Sequence, residues 1–91
     1  MLSFKDKQTE ELWRKESSTR YSNVARVALR KLLQLQAAEK LADLAVPPGN
    51  RLEPLSGNRK GQHSIRINDQ WRICFVWTSQ GAENVEISDY H

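Results

Sequence analysis

The chain has 91 residues, 38% hydrophobic and 27% charged, with a formal net charge of +3; this suits one domain spanning residues 1–91 with a modest core and excludes a disordered chain. No run is apolar for long enough to cross a bilayer, and the opening MLSFKDKQTEELW lacks the apolar centre of a secretory signal. Cys74 is the only cysteine, so no intrachain disulfide can form, and the expectation is a cytoplasmic protein with no membrane partner.

In chain order, DKQTEELWRKE reads as a first helix, acidic in its early turns and basic in its later ones, as the helix dipole favours. SSTRYSN interrupts it and offers Ser22 or Asn23 as the next N-cap. From Val24 to Ala45 strong helix formers dominate. Val24, Val27, Ala28, Leu35, Ala38, Ala42 and Ala45 share one face, whereas Leu29, Leu33, Leu41 and Leu44 fall elsewhere on the wheel. Such a helix must be kinked, or covered by a second helix or another protein. VPPGN ends the helical half, because two prolines and a glycine cannot continue it.

Strand signals follow. RLEPL is a short extended piece in which Pro54 argues for an edge, and SGNRKG is a glycine-bounded loop. HSIRI and QWRICFVW alternate around an Asn-Asp turn, and TSQGAEN leads into a last alternating run, VEISDYH. Helices first and an antiparallel sheet second make an α+β fold, with two N-terminal helices packed on a small twisted sheet. Pleat parity assigns Trp71, Ile73, Phe75 and Trp77 to the core face together with Ile65 and Ile67. Arg72 then points the other way, beside Arg66 if their strands pair. Cys74, inside WRICFVW, reads as a buried, inert thiol, and His63, in phase with Ile65, as a packed or partly buried histidine.

Charge is unevenly placed. Arg51, Arg59, Lys60, His63, Arg66 and Arg72 are opposed only by Glu53 and Asp69 in their segment, a distribution suited to an RNA or phosphate ligand. For Arg66 or Arg72 alone the competing reading is a solvated charged face. The terminal Asp89, Tyr90 and His91 would be held still by sheet pairing. The two histidines lack paired ligands at useful spacing, so no metal or other cofactor is expected, and neither the P-loop nor the dinucleotide glycine pattern occurs.

The stretch LEPLSGNRKGQHSIRINDQWRICFVW, with NVEISDYH after it, resembles the HigB branch of the RelE/ParE toxin superfamily. The resemblance is strong from Arg51 to His91 and looser over the helices. It implies a fold like that of microbial ribonucleases and a toxin that cuts messenger RNA on the ribosome. It also implies a helix-turn-helix antitoxin of the HigA type, with operator DNA reached only through that antitoxin. Cutting RNA without a metal uses the substrate's 2′-hydroxyl and needs a base, cations at the phosphate and an acid for the leaving oxygen. Arg72 and Arg66 are candidates for the phosphate, with Arg51, Arg59 and Lys60 as further RNA contacts. His91 is a candidate acid or base, Tyr90 a stacking or orienting group, and Asp89 an orienting group or a simple end to the sheet. Members commonly carry a histidine and a lysine where this chain has Glu53 and Ser56. Glu53 is then either the general base or a surface partner of Arg51 or Arg66. The alternative function is a catalytically weak or non-enzymatic toxin of the same fold that acts by binding the ribosome or gyrase.

Overall fold

The structure, a computed structural model, describes residues 2–89. Tyr90 and His91, candidates for the site, lie outside the described residues. Helix α1 spans Lys7–Lys15. The Asp6 carboxylate caps it by accepting from the Thr9 backbone N–H at 3.3 Å, and it ends where Glu16 takes a left-handed conformation. Leu12 and Thr9 are its fully buried positions.

Helix α2 spans Ala25–Ala37 and buries Ala28, Leu32 and Leu35, a stripe at helical spacing. Two expectations are corrected here. The N-cap is Val24, with no side-chain cap from Ser22 or Asn23. The helical run does not continue to Ala45: Ala38 turns extended, and a separate 3₁₀ turn covers Leu41–Ala45. The reason is Asp43, whose carboxylate accepts from the backbone N–H groups of Glu39 and Lys40 at 3.0 and 3.2 Å and so replaces helical partners there. The break redirects Leu44, which is fully buried, and Leu41 packs partly on the core. Leu33 alone of the four off-face leucines stays largely exposed, at 57%.

The sheet is a four-stranded antiparallel meander in the order β1 (Glu53–Pro54), β2 (His63–Arg66), β3 (Trp71–Thr78) and β4 (Gly81–Asp89). Pro54 lies on an edge strand, where its missing N–H costs no ladder bond. The Asn68 side chain shapes the β2–β3 turn by accepting from the backbone of Gln70 and Trp71. Between Cys74 and Val76 the register with β4 slips, and Asn84 takes φ 52° to absorb the extra residue. The bulge lets Ala82 and Val85, three positions apart, both be buried.

The helix-side face carries Ile65, Ile73 and Phe75, each fully buried, together with Ile67, Val85 and Ile87. They pack against Leu12, Leu32, Leu35 and Leu44, with Trp71 and Trp77 half-buried at the margins. Tyr21 meets Trp71 edge to face at 5.4 Å between centroids. Full burial of each such side chain contributes about 1.5–3 kcal/mol, so this face carries most of the stability. The N-terminal segment also joins the sheet: Lys5 N–H donates to the Val85 carbonyl and Val85 N–H to the Ser3 carbonyl, both at 2.9 Å. Thr9 Oγ1 accepts from Ile87 N–H at 3.1 Å. Among the described residues no helix is long and apolar enough to cross a membrane.

Candidate functional site

The opposite face of the sheet is polar, and the strand register sets its pattern. Glu53, Ser64, Cys74 and Glu86 are successive partners across the four strands and form one row. Arg66, Arg72 and Ser88 form the next. Alternation along each strand keeps both rows on the side away from the helices.

Arg72 is the centre. Its side chain leaves the core face, as pleat parity requires, yet it is not the solvated residue of the competing reading: only 5% of Arg72 is exposed. Nε donates to Ser64 Oγ at 2.8 Å, and Nη2 donates to the Arg51 carbonyl at 2.8 Å. Glu53 Oε1 lies 3.4 Å from the same Nη2. A buried guanidinium is tolerated only when its donors and charge are matched in this way. Glu53 therefore pairs with Arg72, which corrects the expectation of Arg51 or Arg66 as its partner.

The other basic residues separate into held and exposed. Arg59 donates through Nη1 to Glu86 Oε1 at 2.5 Å and Gln62 Oε1 at 3.1 Å, and through Nη2 to Ser88 Oγ at 3.2 Å. The hydrogen bond with Glu86 raises the arginine's pKa further, against the opposing cost of burial. Lys5 reaches the same Glu86 oxygen at 3.6 Å. Arg59 thus fastens the loop before β2 onto β4. Arg66 pairs with Asp69 across its own turn, while Arg51 and Lys60 are exposed.

Asp89 is the register partner of Trp71, so it lies in phase with the helix-side row, not with Arg72. Its carboxylate accepts from Gln70 Nε2 at 3.3 Å. His63 is half-buried with its ring stacked on Phe75 at 6.3 Å between centroids, as its parity indicated. The Cys74 thiol is buried, and burial pushes its pKa up; Glu86 adds to this and Arg59, Arg72 and Lys5 oppose it. Within the row the raised pKa favours the neutral thiol.

Sequence reasoning missed Ser64 and the Arg51 carbonyl, two groups that accept hydrogen bonds from the Arg72 guanidinium. Ser64 was legible in principle, because it alternates with Ile65 and so shares the face of Arg72. A backbone carbonyl leaves no mark in a sequence.

The arrangement is a fixed, nearly buried cation on the helix-free face of the sheet, with a part-exposed carboxylate beside it and further cations around it. Comparison with known proteins identifies the family and the fold. The family described as "RelE-like toxin of type II toxin-antitoxin system HigB" matches residues 2–91. Toxin HigB-1 of Vibrio cholerae is 41% identical over 91 residues, covering 98% of this chain and 96% of the relative. A protein of Proteus vulgaris named Endoribonuclease HigB is 39% identical over 41 residues, 45% of each chain. Among solved structures, the YoeB–YefM complex from Staphylococcus aureus matches with a TM-score of 0.60 at 18% identity. That match covers 100% of this chain and 95% of the other, a likeness of fold. The chain belongs to the HigB family of RelE-like toxins of type II toxin–antitoxin systems.

Proposed function

We propose that this toxin is a ribosome-dependent, metal-independent endoribonuclease that cleaves messenger RNA by 2′-hydroxyl attack. In this reading a HigA-type helix-turn-helix antitoxin silences it and supplies the only link to operator DNA. The observation that carries the proposal is the Arg72 guanidinium, fixed by Ser64 and Arg51 and flanked by Glu53 on the open face of the sheet. A relative of the chain carries the name of an endoribonuclease, which supports the same reaction.

The pair between Glu53 and Arg72, at 3.4 Å, is loose beside the 2.7–2.9 Å of a charge-assisted hydrogen bond. An arriving phosphate can therefore take over the guanidinium, whose planar fork matches its oxygens. That exchange frees the carboxylate beside the 2′-hydroxyl, where Glu53 acts as base. Because Arg72 is already oriented, charge building on the phosphate meets a donor that needs no reorganisation. Arg51, Lys60 and Arg66 steer the RNA backbone, and Arg59 holds the loop that carries Lys60. His91 protonates the leaving oxygen, Tyr90 stacks on a base, and Asp89, in phase with the opposite face, orients the strand end.

The test is cleavage of ribosome-bound messenger, compared with the same RNA alone, with analysis of the product ends. Cutting on the ribosome only, leaving 2′,3′-cyclic phosphates, is the expected result. Glu53→Gln and truncation after Tyr90 should each lose about 10²–10⁴-fold, the contribution of a general base or acid. A loss below tenfold for Glu53→Gln passes the base to His91. Translation arrest without any cut would instead establish inhibition by occupancy of the ribosome.

A further inference from the structure

VPPGN enters the sequence as a helix terminator, but its last residue is fully buried and polar. Asn50 Nδ2 donates to the carbonyls of Leu44 at 3.1 Å and Val46 at 3.4 Å, and to Gln34 Oε1 at 3.0 Å. Its Oδ1 accepts from Lys31 Nζ. One side chain thus ties α2 to the 3₁₀ turn and to the prolines that follow. The next residue, Arg51, is left-handed at φ 47° and ψ 53°, a strained conformation for a residue with a Cβ. Its N–H donates to the Pro48 carbonyl at 3.1 Å, and its own carbonyl is the acceptor for Arg72 Nη2.

Strain of this kind persists only where the surroundings over-determine it. The surroundings here are the Asn50 hydrogen bonds. We propose that Asn50 is a positioning residue: by clamping the 44–50 loop it holds Arg51 left-handed, which aims the Arg51 carbonyl at Arg72 and sets the guanidinium for the phosphate. The role in cleavage rests on the reading of Arg72 given above, whereas the link from Asn50 to the guanidinium does not. Asparagine is required because the node needs donors and an acceptor at once. Aspartate keeps the acceptor for Lys31 but turns the donors to the two carbonyls into a repelling oxygen.

The experiment follows the Arg72 side chain directly. The Nε–H resonance of Arg72, buried on Ser64, is recorded by ¹⁵N NMR in the wild-type chain and in Asn50→Asp. Single-turnover cleavage of ribosome-bound messenger is measured on the same proteins. A moved resonance with faster proton exchange, KM within twofold and a cleavage rate down about ten- to a hundredfold is expected, as for a small misplacement of a reacting group. If Asn50→Asp does not fold, Gln34→Leu, at a half-buried position, removes one acceptor from the same amide together with Gln34's own bond to the Val46 carbonyl, and is read in the same way. An unmoved Arg72 resonance in a folded variant overturns the proposal, whatever happens to cleavage. A moved resonance with an unchanged cleavage rate overturns instead the reading that Arg72 handles the phosphate.

Discussion

On β3, Ile73 and Phe75 face the helices while Arg72 and Cys74 face away, and the division continues in their partners on β2 and β4. The first face is apolar except for His63 and Asp89 at its ends, and it makes its contacts by shape. The second is a set of matched charges and hydrogen bonds, with Arg72 held by Ser64 and Arg51, and Arg59 held by Glu86 and Ser88. Residues one step apart along one strand therefore answer to different physics. Burial of apolar area stabilises the fold, and the fold in turn keeps a guanidinium oriented through Ser64 and the Arg51 carbonyl. A change on the helix side should alter stability and leave the chemistry of the surviving folded molecules intact. A change on the open side should lower cleavage first, with a smaller cost in stability.

The largest expected effect is on the apolar face. Phe75→Ala empties a fully buried site and should cost about 3–5 kcal/mol in urea denaturation. Cleavage per folded molecule should stay near the wild-type value, and a selective loss of cleavage would break the division. Arg72→Ala comes second. It should lower cleavage at least about a hundredfold, the cost of one preorganised donor. Because the residue is buried and its donors are matched, the same change should also cost about 1–3 kcal/mol of stability. An alanine variant that cuts at the full rate would remove Arg72 from the reaction.

The smallest effect belongs to Cys74. Its folded pKa is raised by burial, so the stability it contributes is fully present below the ordinary thiol value of 9.0 and is lost as pH rises through the folded value. Lys31 acts in the opposite sense. Burial, then Arg30 and Arg66, lower its pKa, and stability recovers as pH rises toward 10.5. The difference between wild type and Cys74→Ala isolates the thiol. Wild type should lose more stability than Cys74→Ala between pH 8 and pH 10, and equal losses would mean the thiol ionises freely in the folded protein.

Much of this was legible from pattern. Alternation in HSIRI and QWRICFVW assigned Ile65, Ile73 and Phe75 to the core and set Arg66 opposite Arg72, because a period of two survives any detail of packing. The end of α2 was not legible. Ala, Leu and Lys favour a helix through Ala45, and what stops it is one carboxylate, Asp43, taking two backbone donors. The partner of Glu53 was missed for a related reason. Sequence proximity favours Arg51, but pairing with Ser64 places Glu53 one row from Arg72. The burial of Arg72 depends on a serine and a carbonyl from two different segments, which no local window contains.

The pairing of residues 3–5 with Val85, and of Thr9 with Ile87, has a consequence for the molecule in company. The β-hairpins of the meander join neighbours in sequence, but this seam joins segments about eighty positions apart and has the greatest loop to close. It should form late and open early. While it is open, β4 presents an unpaired row of N–H and C=O groups, alternating with Val85 and Ile87, that a second chain can extend. Residues 3–5 should therefore guard this strand against self-association: deletion of residues 2–5 should produce concentration-dependent aggregation before any loss of the core.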